Sequence, residues 1–322
     1  MEIETRYGTL RGCFDEEYYE NGTLKSCSFD IVNRLKTSCG ILTPRYGPET
    51  VRSKYGKAIG FYPNGCIRRI ALEQMTDVQS PIGEFPAELI TFYESEAICR
   101  IFPLNGKITG FWTEEDEEKL MVPLHFKFYF GEFSAKIISV HFYESGNIQS
   151  ITLFPNEIFE ISLPFGKVLG RTGFSLYESG ALQSLEPAEP TSVPTPIGTL
   201  HAFAGNCTGI TADQNSLGLA ESGTVVRLST VTDKIVVQTP DARLETNTPV
   251  QKTNPLDGQS VFTLPVKVEF STDSVRFISE DTRSYLFATC AFSILSVPYT
   301  AALPNCSNCS GCGGFCDIKK HR

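Results

Sequence analysis

The sequence predicts an all-β chain: tandem β-hairpins stacked into an elongated antiparallel sheet, followed by a small C-terminal β region and a cysteine-rich tail. Three observations carry this. A ten-residue phrase recurs along the chain, a second Pro-Gly phrase precedes several of its copies, and Pro, Gly and β-branched or aromatic residues interrupt nearly every window in which a helix could form.

The recurring phrase reads YYENGTLKSC from Tyr18, FYPNGCIRRI from Phe61, FYESEAICRI from Phe92, FYESGNIQSI from Phe142, LYESGALQSL from Leu176 and LAESGTVVRL from Leu219, with a looser copy, FPLNGKITGF, from Phe102. Asn-Gly and Ser-Gly between apolar runs tolerate the positive φ that a tight strand reversal needs, so each copy reads as a hairpin. Taking Asn21-Gly22 as a two-residue loop sets Tyr19 opposite Leu24, Tyr62 opposite Ile67, Tyr143 opposite Ile148 and Tyr177 opposite Leu182. Cross-strand pairs of this kind contribute roughly 0.2–1 kcal/mol each. In the third copy Glu96 replaces Gly, which predicts an altered or longer turn. The second strand is harder to place. Ile67 and Ile70 are three apart, so either both faces of the hairpin are partly apolar or a bulge re-aims one residue. Either solution needs neighbours stacked alongside, because a lone hairpin is marginal in water.

The second phrase is PIGEF from Pro81, PFGKV from Pro164 and PIGTL from Pro196, with TPRYG from Thr43 as a looser relative. It reads as a corner that starts the next strand. The acidic block Glu114–Glu118 admits a short helical turn, with a solvated loop the better reading for a run of like charge. Residues 1–238 thus form a hairpin array. Residues 239–304 open on a turn-rich loop and continue as strands, reading as a C-terminal β domain or cap. The run from Tyr285 is too short and too β-branched for a membrane helix.

The phrases YYENGTLKS and FYPNGCIRR resemble the Tyr-Tyr-Glu-Asn-Gly units of MORN-like (membrane occupation and recognition nexus) repeat proteins, discontinuously over about residues 1–235. The resemblance implies short hairpins stacked into an elongated sheet and a role in scaffolding and protein or lipid contact, without catalysis. The family's second Gly-containing motif is blurred here and the period is irregular, so no binding residue carries over.

The 322 residues carry 28 Lys plus Arg against 37 Asp plus Glu, a net charge of −9. That acidic balance excludes a broad nucleic-acid or anionic-membrane surface, both of which call for a positive field. No stretch approaches a membrane span, and the N-terminus has no readable secretory signal. With an odd total of 11 cysteines, reduced thiols and a cytoplasmic location are expected. The scattered Cys13, Cys27, Cys39, Cys66, Cys99, Cys207 and Cys290 read as small buried hydrophobes.

Residues 305–322 hold the candidate metal site. Cys306, Cys309, Cys312 and Cys316 have the spacing C-x2-C-x2-C-x3-C, which resembles the cluster-binding run of bacterial ferredoxins. Asp317 stands where that run has Pro. Four thiolates also suffice for tetrahedral zinc, although the short central spacer disfavours an ordinary zinc ribbon. Iron–sulfur cluster, zinc and no metal at all stay open. Catalysis has little support in the sequence. His125, His141, His201 and His321 are read as ordinary strand or terminal residues, because a Cys–His pair requires a spatial adjacency that sequence does not display. Glu94, Glu144, Glu178 and Glu221 recur at one turn position, where solvation explains them, and the repeated tyrosines read as packing ridges. Two classes follow: a non-enzymatic repeat scaffold with a protein-binding face, or a redox or metal-handling protein whose tail is the active part.

Overall fold

The computed structural model describes residues 2–54, 56–205, 211–253, 258–259, 261–278 and 281–299. The chain is almost entirely antiparallel β, in two compact units: Met1–Ala188 with Gly209–Thr224, and Glu189–Thr208 with Val225–Arg322. No helix among the described residues is long and apolar enough to cross a membrane.

In the first unit one sheet runs, in spatial order, through Leu217–Leu219, Leu182–Pro187, Gly166–Leu176, Ile148–Leu153, Ile137–Phe142, Ile98–Phe102, Gly83–Phe92, Ile67–Ser80, Ile59–Phe61, Leu24–Phe29 and Cys13–Tyr18. The strands follow one another across this sheet in chain order, with separate short hairpins inserted between some neighbours, as expected for stacked hairpins.

The recurring phrase makes the hairpins, but with a loop one residue longer than the two-residue expectation. The Tyr19 carbonyl accepts from Gly22 N–H at 2.9 Å and the Tyr19 N–H donates to Thr23 O at 2.9 Å, and the same pair of bonds closes the turns at Tyr62, Tyr93, Tyr143, Tyr177 and Ala220. Each loop therefore holds three residues and ends in a left-handed one: Gly22 (φ 83°), Gly65 (φ 82°), Gly146 (φ 92°), Gly180 (φ 85°) and Gly223 (φ 81°). Glu96 does not alter or lengthen its turn. It takes up φ 70° itself and keeps both bonds.

The extra loop residue shifts the register. Tyr18, not Tyr19, pairs with Leu24; likewise Phe61 pairs with Ile67, Phe92 with Ile98, Phe142 with Ile148 and Leu176 with Leu182. A one-residue slip exchanges the faces of a strand. Hence Phe61, Phe92, Phe142 and Leu176 fill the core, and the tyrosines stand at the turn end.

A bulge resolves the Ile-x-x-Ile spacing. The register breaks one residue after each Ile or Leu partner, so that Gly60 faces Arg69, Thr91 faces Arg100, His141 faces Ser150 and Ser175 faces Ser184. The extra residue lets Ile67 and Ile70, or Ile98 and Ile101, share one face. The result is an apolar row running strand by strand through Cys27, Ile59, Ile70, Ile90, Ile101, Val140, Ile151, Phe174, Leu185 and Leu217, all with 0% exposure. Each large side chain so buried contributes roughly 1.5–3 kcal/mol. The next residue along each strand makes a parallel row of small or polar groups on the opposite face: Ser26, Gly60, Arg69, Thr91, Arg100, His141, Ser150, Ser175, Ser184 and Gly218.

The Pro-Gly phrases are hairpin turns in their own right rather than corners. Ser80 pairs with Gly83, Leu163 with Gly166 and Thr195 with Gly198, leaving two-residue loops. The same device closes Thr5–Gly8 and Thr37–Gly40, where a threonine hydroxyl donates to the glycine carbonyl at 2.6 and 2.9 Å. TPRYG instead forms a single bridge, Pro44 to Leu72.

The acidic block is a short α-helix, Glu114–Lys119, and not a loop. Thr113 Oγ1 accepts from Asp116 N–H at 3.2 Å while Asp116 Oδ2 accepts from Thr113 N–H at 3.1 Å. Carboxylates in a first turn face the positive end of the helix dipole, which makes this like-charge run favourable. Glu117 turns inward, where it accepts from Arg52 Nε (2.7 Å), Trp112 Nε1 (2.7 Å) and Gly106 N (2.9 Å), and Arg52 also donates to Glu88 at 2.7 and 3.0 Å. Burial raises the Glu117 carboxyl, but the guanidinium beside it prevails and holds it below the usual range.

The second unit places Val225–Thr230, Val266–Phe270, Ser274–Ile278 and Thr282–Leu286 side by side, and Leu244–Asn247, Asp233–Gln238 and Ala291–Ser296 in a separate three-stranded sheet. Leu228, Ile235, Val237, Val268, Val275 and Phe277 form its core. Asp233 has no exposed surface, and it accepts from His201 N (2.6 Å), from Thr230 Oγ1 (2.8 Å) and, across 2.8 Å, faces His201 Nδ1. This histidine pins a turn.

Candidate functional site

Two features of the first unit bring chemistry-bearing groups together. One is at the turn end of the sheet. Tyr19 Oη donates to Phe61 O (2.9 Å), Tyr62 Oη to Phe92 O (2.8 Å), Tyr93 Oη to Phe142 O (2.8 Å), Tyr143 Oη to Leu176 O (2.9 Å) and Tyr177 Oη to Leu219 O (2.9 Å). Every tyrosine thus holds the carbonyl just before the equivalent residue of the next hairpin. Asn21 Nδ2 to Pro63 O (3.2 Å) and Asn147 Nδ2 to Glu178 O (3.0 Å) add second links between adjacent turns. The recurring tyrosines fasten adjacent hairpins through their hydroxyls. With the turns aligned, Glu20, Glu94, Glu144, Glu178 and Glu221 all stand exposed at one position of their loops, a position that Pro63 takes in the second copy. Two strand steps separate neighbouring hairpins, so their turns lie roughly 10 Å apart.

The other feature lies in the polar row. Arg100 and His141 are direct cross-strand partners. Cys99 is the bulged residue between buried Ile98 and Arg100. There the half-buried thiol sits against His141, Thr91 and Tyr93. Asp213 arrives from a distant stretch of chain. Its carboxylate accepts from Ser150 Oγ at 2.5 Å and from Arg100 Nη2 at 2.8 and 3.1 Å, and lies 3.3 Å from His141 Nδ1. Arg100 Nη2 is 2.8 Å from the same ring nitrogen. Nearby, Ala212 N–H donates to Thr152 Oγ1 at 3.1 Å and Asn215 Nδ2 to Ser184 Oγ at 2.8 Å, which fixes the segment carrying Asp213 over the sheet.

The electrostatics follow from these contacts. The hydrogen bond with His141 leads in holding the Asp213 carboxyl far below its ordinary value, with Ser150 and Arg100 adding to it against burial. Burial lowers His141, but Asp213 and Cys99 outweigh it and its affinity for a proton rises. Burial raises Cys99, yet His141, Thr91 and Tyr93 together bring the thiol below its ordinary value. Burial, then Cys99, pushes Tyr93 up to about 12.

Of the other sequence candidates, Cys27, Cys39 and Cys66 are buried as expected, and burial pushes the Cys27 and Cys39 thiols up. Cys13 and Cys290 are half-buried. His125 pairs with Glu132 on a surface hairpin. Cys207, His321 and the candidate metal ligands Cys306, Cys309, Cys312 and Cys316 lie outside the described residues. Among the described residues no group of three or more His, Cys, Asp or Glu is arranged to hold a metal ion. No protein-family profile matches the chain, and neither does any curated protein or solved structure.

Proposed function

We propose that this chain is a non-enzymatic repeat scaffold whose protein-binding face is the turn edge of the hairpin array, and that its partner presents a basic surface. The alignment of Glu20, Glu94, Glu144, Glu178 and Glu221 on loops held in register by the tyrosine hydroxyls is the observation that supports this reading. A single exposed carboxylate attracts little in water, but a row adds its fields within a Debye length of about 8–10 Å, and Glu94, Glu144, Glu178 and Glu221 stand on four consecutive loops of the repeat, with Pro63 interrupting the row between Glu20 and Glu94. The test compares binding of a lysine-rich peptide to the full chain, to Glu94→Gln/Glu144→Gln/Glu178→Gln, and to a control in which exposed Glu84, Glu114 and Glu115 become Gln. Loss of affinity only in the turn variant supports the reading. Equal loss in both variants refutes it.

The tail Cys306, Cys309, Cys312 and Cys316 is proposed separately as a metal or iron–sulfur ligand set, on its spacing. Metal analysis of anaerobically purified chain decides it: brown protein means a cluster, colourless protein with one zinc per chain means a structural site, and metal-free protein removes the proposal.

A further inference from the structure

We infer that Arg68 and Arg69 form an anion site on the first unit's sheet, and that it takes a small tetrahedral oxyanion of the phosphate class. Phe61 pairs with Ile67 and Gly60 with Arg69, which leaves Arg68 as the bulged residue of its strand. A bulge sets two residues against one, and the one here is a glycine. A methyl group on Gly60 would stand 3.2 Å from Arg69 Cγ and 3.7 Å from Arg68 Nη2. Both arginines therefore reach over a position that carries no side chain.

Neither is answered from within the chain. Arg69 is half-buried, its Nε is buried without a hydrogen-bond partner, and among the described residues neither guanidinium has an ion pair. The equivalent position of the next hairpin shows the contrast, since Arg100 is held by both oxygens of Asp213 at 2.8 and 3.1 Å. Arg45, whose backbone N–H donates to Ala71 O at 2.8 Å, adds a third positive charge. Burial, then the like charges of Arg68 and Arg45, holds Arg69 below its ordinary value. A guanidinium keeps its proton in a protein, so a half-buried one without a partner calls for an anion from outside. Its planar fork matches two oxygens of a phosphate group. One such ion needs no broad positive surface, which a chain of net charge −9 lacks.

The experiment compares thermal unfolding of the full chain at neutral pH in sodium chloride, in inorganic phosphate and in a simple phosphate monoester (phenyl phosphate), all at one ionic strength. The native chain should melt roughly 2–4 °C higher in phosphate than in chloride. An equal shift with the monoester assigns the site to the phosphate group itself, and a larger one to an esterified ligand. Arg68→Gln and Arg69→Met should each lose most of the shift, while Arg34→Gln, at an exposed position, keeps it. In chloride Arg69→Met should melt no lower than the native chain, because the charge it removes has no partner to lose. Absence of any shift beyond chloride, an undiminished shift in Arg68→Gln or Arg69→Met, or a lower melting temperature of Arg69→Met in chloride overturns the inference.

Discussion

Tyr93 Oη donates to the carbonyl of Phe142, 49 residues further along the chain, at 2.8 Å. The same bond joins residues separated by 30, 33 and 42 positions elsewhere in the array. Connections of very different length therefore produce one stacking geometry, because the register is set by a side chain reaching the next hairpin and not by the loops between them.

Replacing Tyr143 by Phe keeps the ring and removes the donor. One hydrogen bond of this kind contributes about 0.5–1.5 kcal/mol. Urea unfolding of Tyr143→Phe should show a loss in that range. A change indistinguishable from zero would mean that ring packing alone fixes the stack.

Glu96 tests whether a left-handed turn residue is retained for strain or for contact. Its carboxylate accepts from Tyr7 Oη and lies 3.5 Å from Arg6 Nη1, beside a hollow of about 230 Å³ lined also by Lys36, Thr37 and Ser38. Glycine and alanine both abolish those contacts, but only glycine accepts φ 70° freely. Glu96→Gly should be more stable than Glu96→Ala by about 1 kcal/mol in thermal or urea unfolding.

Much of this was legible beforehand, and the failures have one cause. Repetition in the sequence identifies the hairpins, since only neighbouring copies can bury the two apolar positions of each. It does not reveal loop length. Asn-Gly serves a two-residue loop as readily as the end of a three-residue one, and that ambiguity moves Tyr19 and its equivalents off the face expected of them. The bulge at Cys99 and the approach of Asp213 to His141 are non-local, so no spacing in the sequence announces them. The helix at Glu114–Lys119 was legible in principle: Thr113 and Asp116 make a capping box, a signal that the charge of the block obscured.

The buried ion network is expected to be intolerant of truncation. Arg52→Ala leaves Glu88 and Glu117, whose side chains are 12% and 6% exposed, without their cation. Breaking a buried pair on one side costs about 3–5 kcal/mol. A loss under about 1 kcal/mol in chemical denaturation would show that water replaces the guanidinium.

Asp213 sets an acid limit. Its folded carboxyl lies well below the ordinary 3.8, so the stability it contributes is present above that value and is lost as pH falls through the folded one. Melting temperature recorded against pH should decline more steeply below 3.8 for the native chain than for Asp213→Asn. Superimposable profiles would show that the carboxylate is not stabilised by folding.

The tyrosine ladder also has a direction. Each hydroxyl reaches forward along the chain, and the series closes at Leu219 because Ala220 brings no hydroxyl of its own. Growth of such an assembly is vectorial: a duplicated cassette inserted before Leu219 inherits both a receiving carbonyl and a donor to pass on, whereas one appended after Ala220 meets a mute terminus.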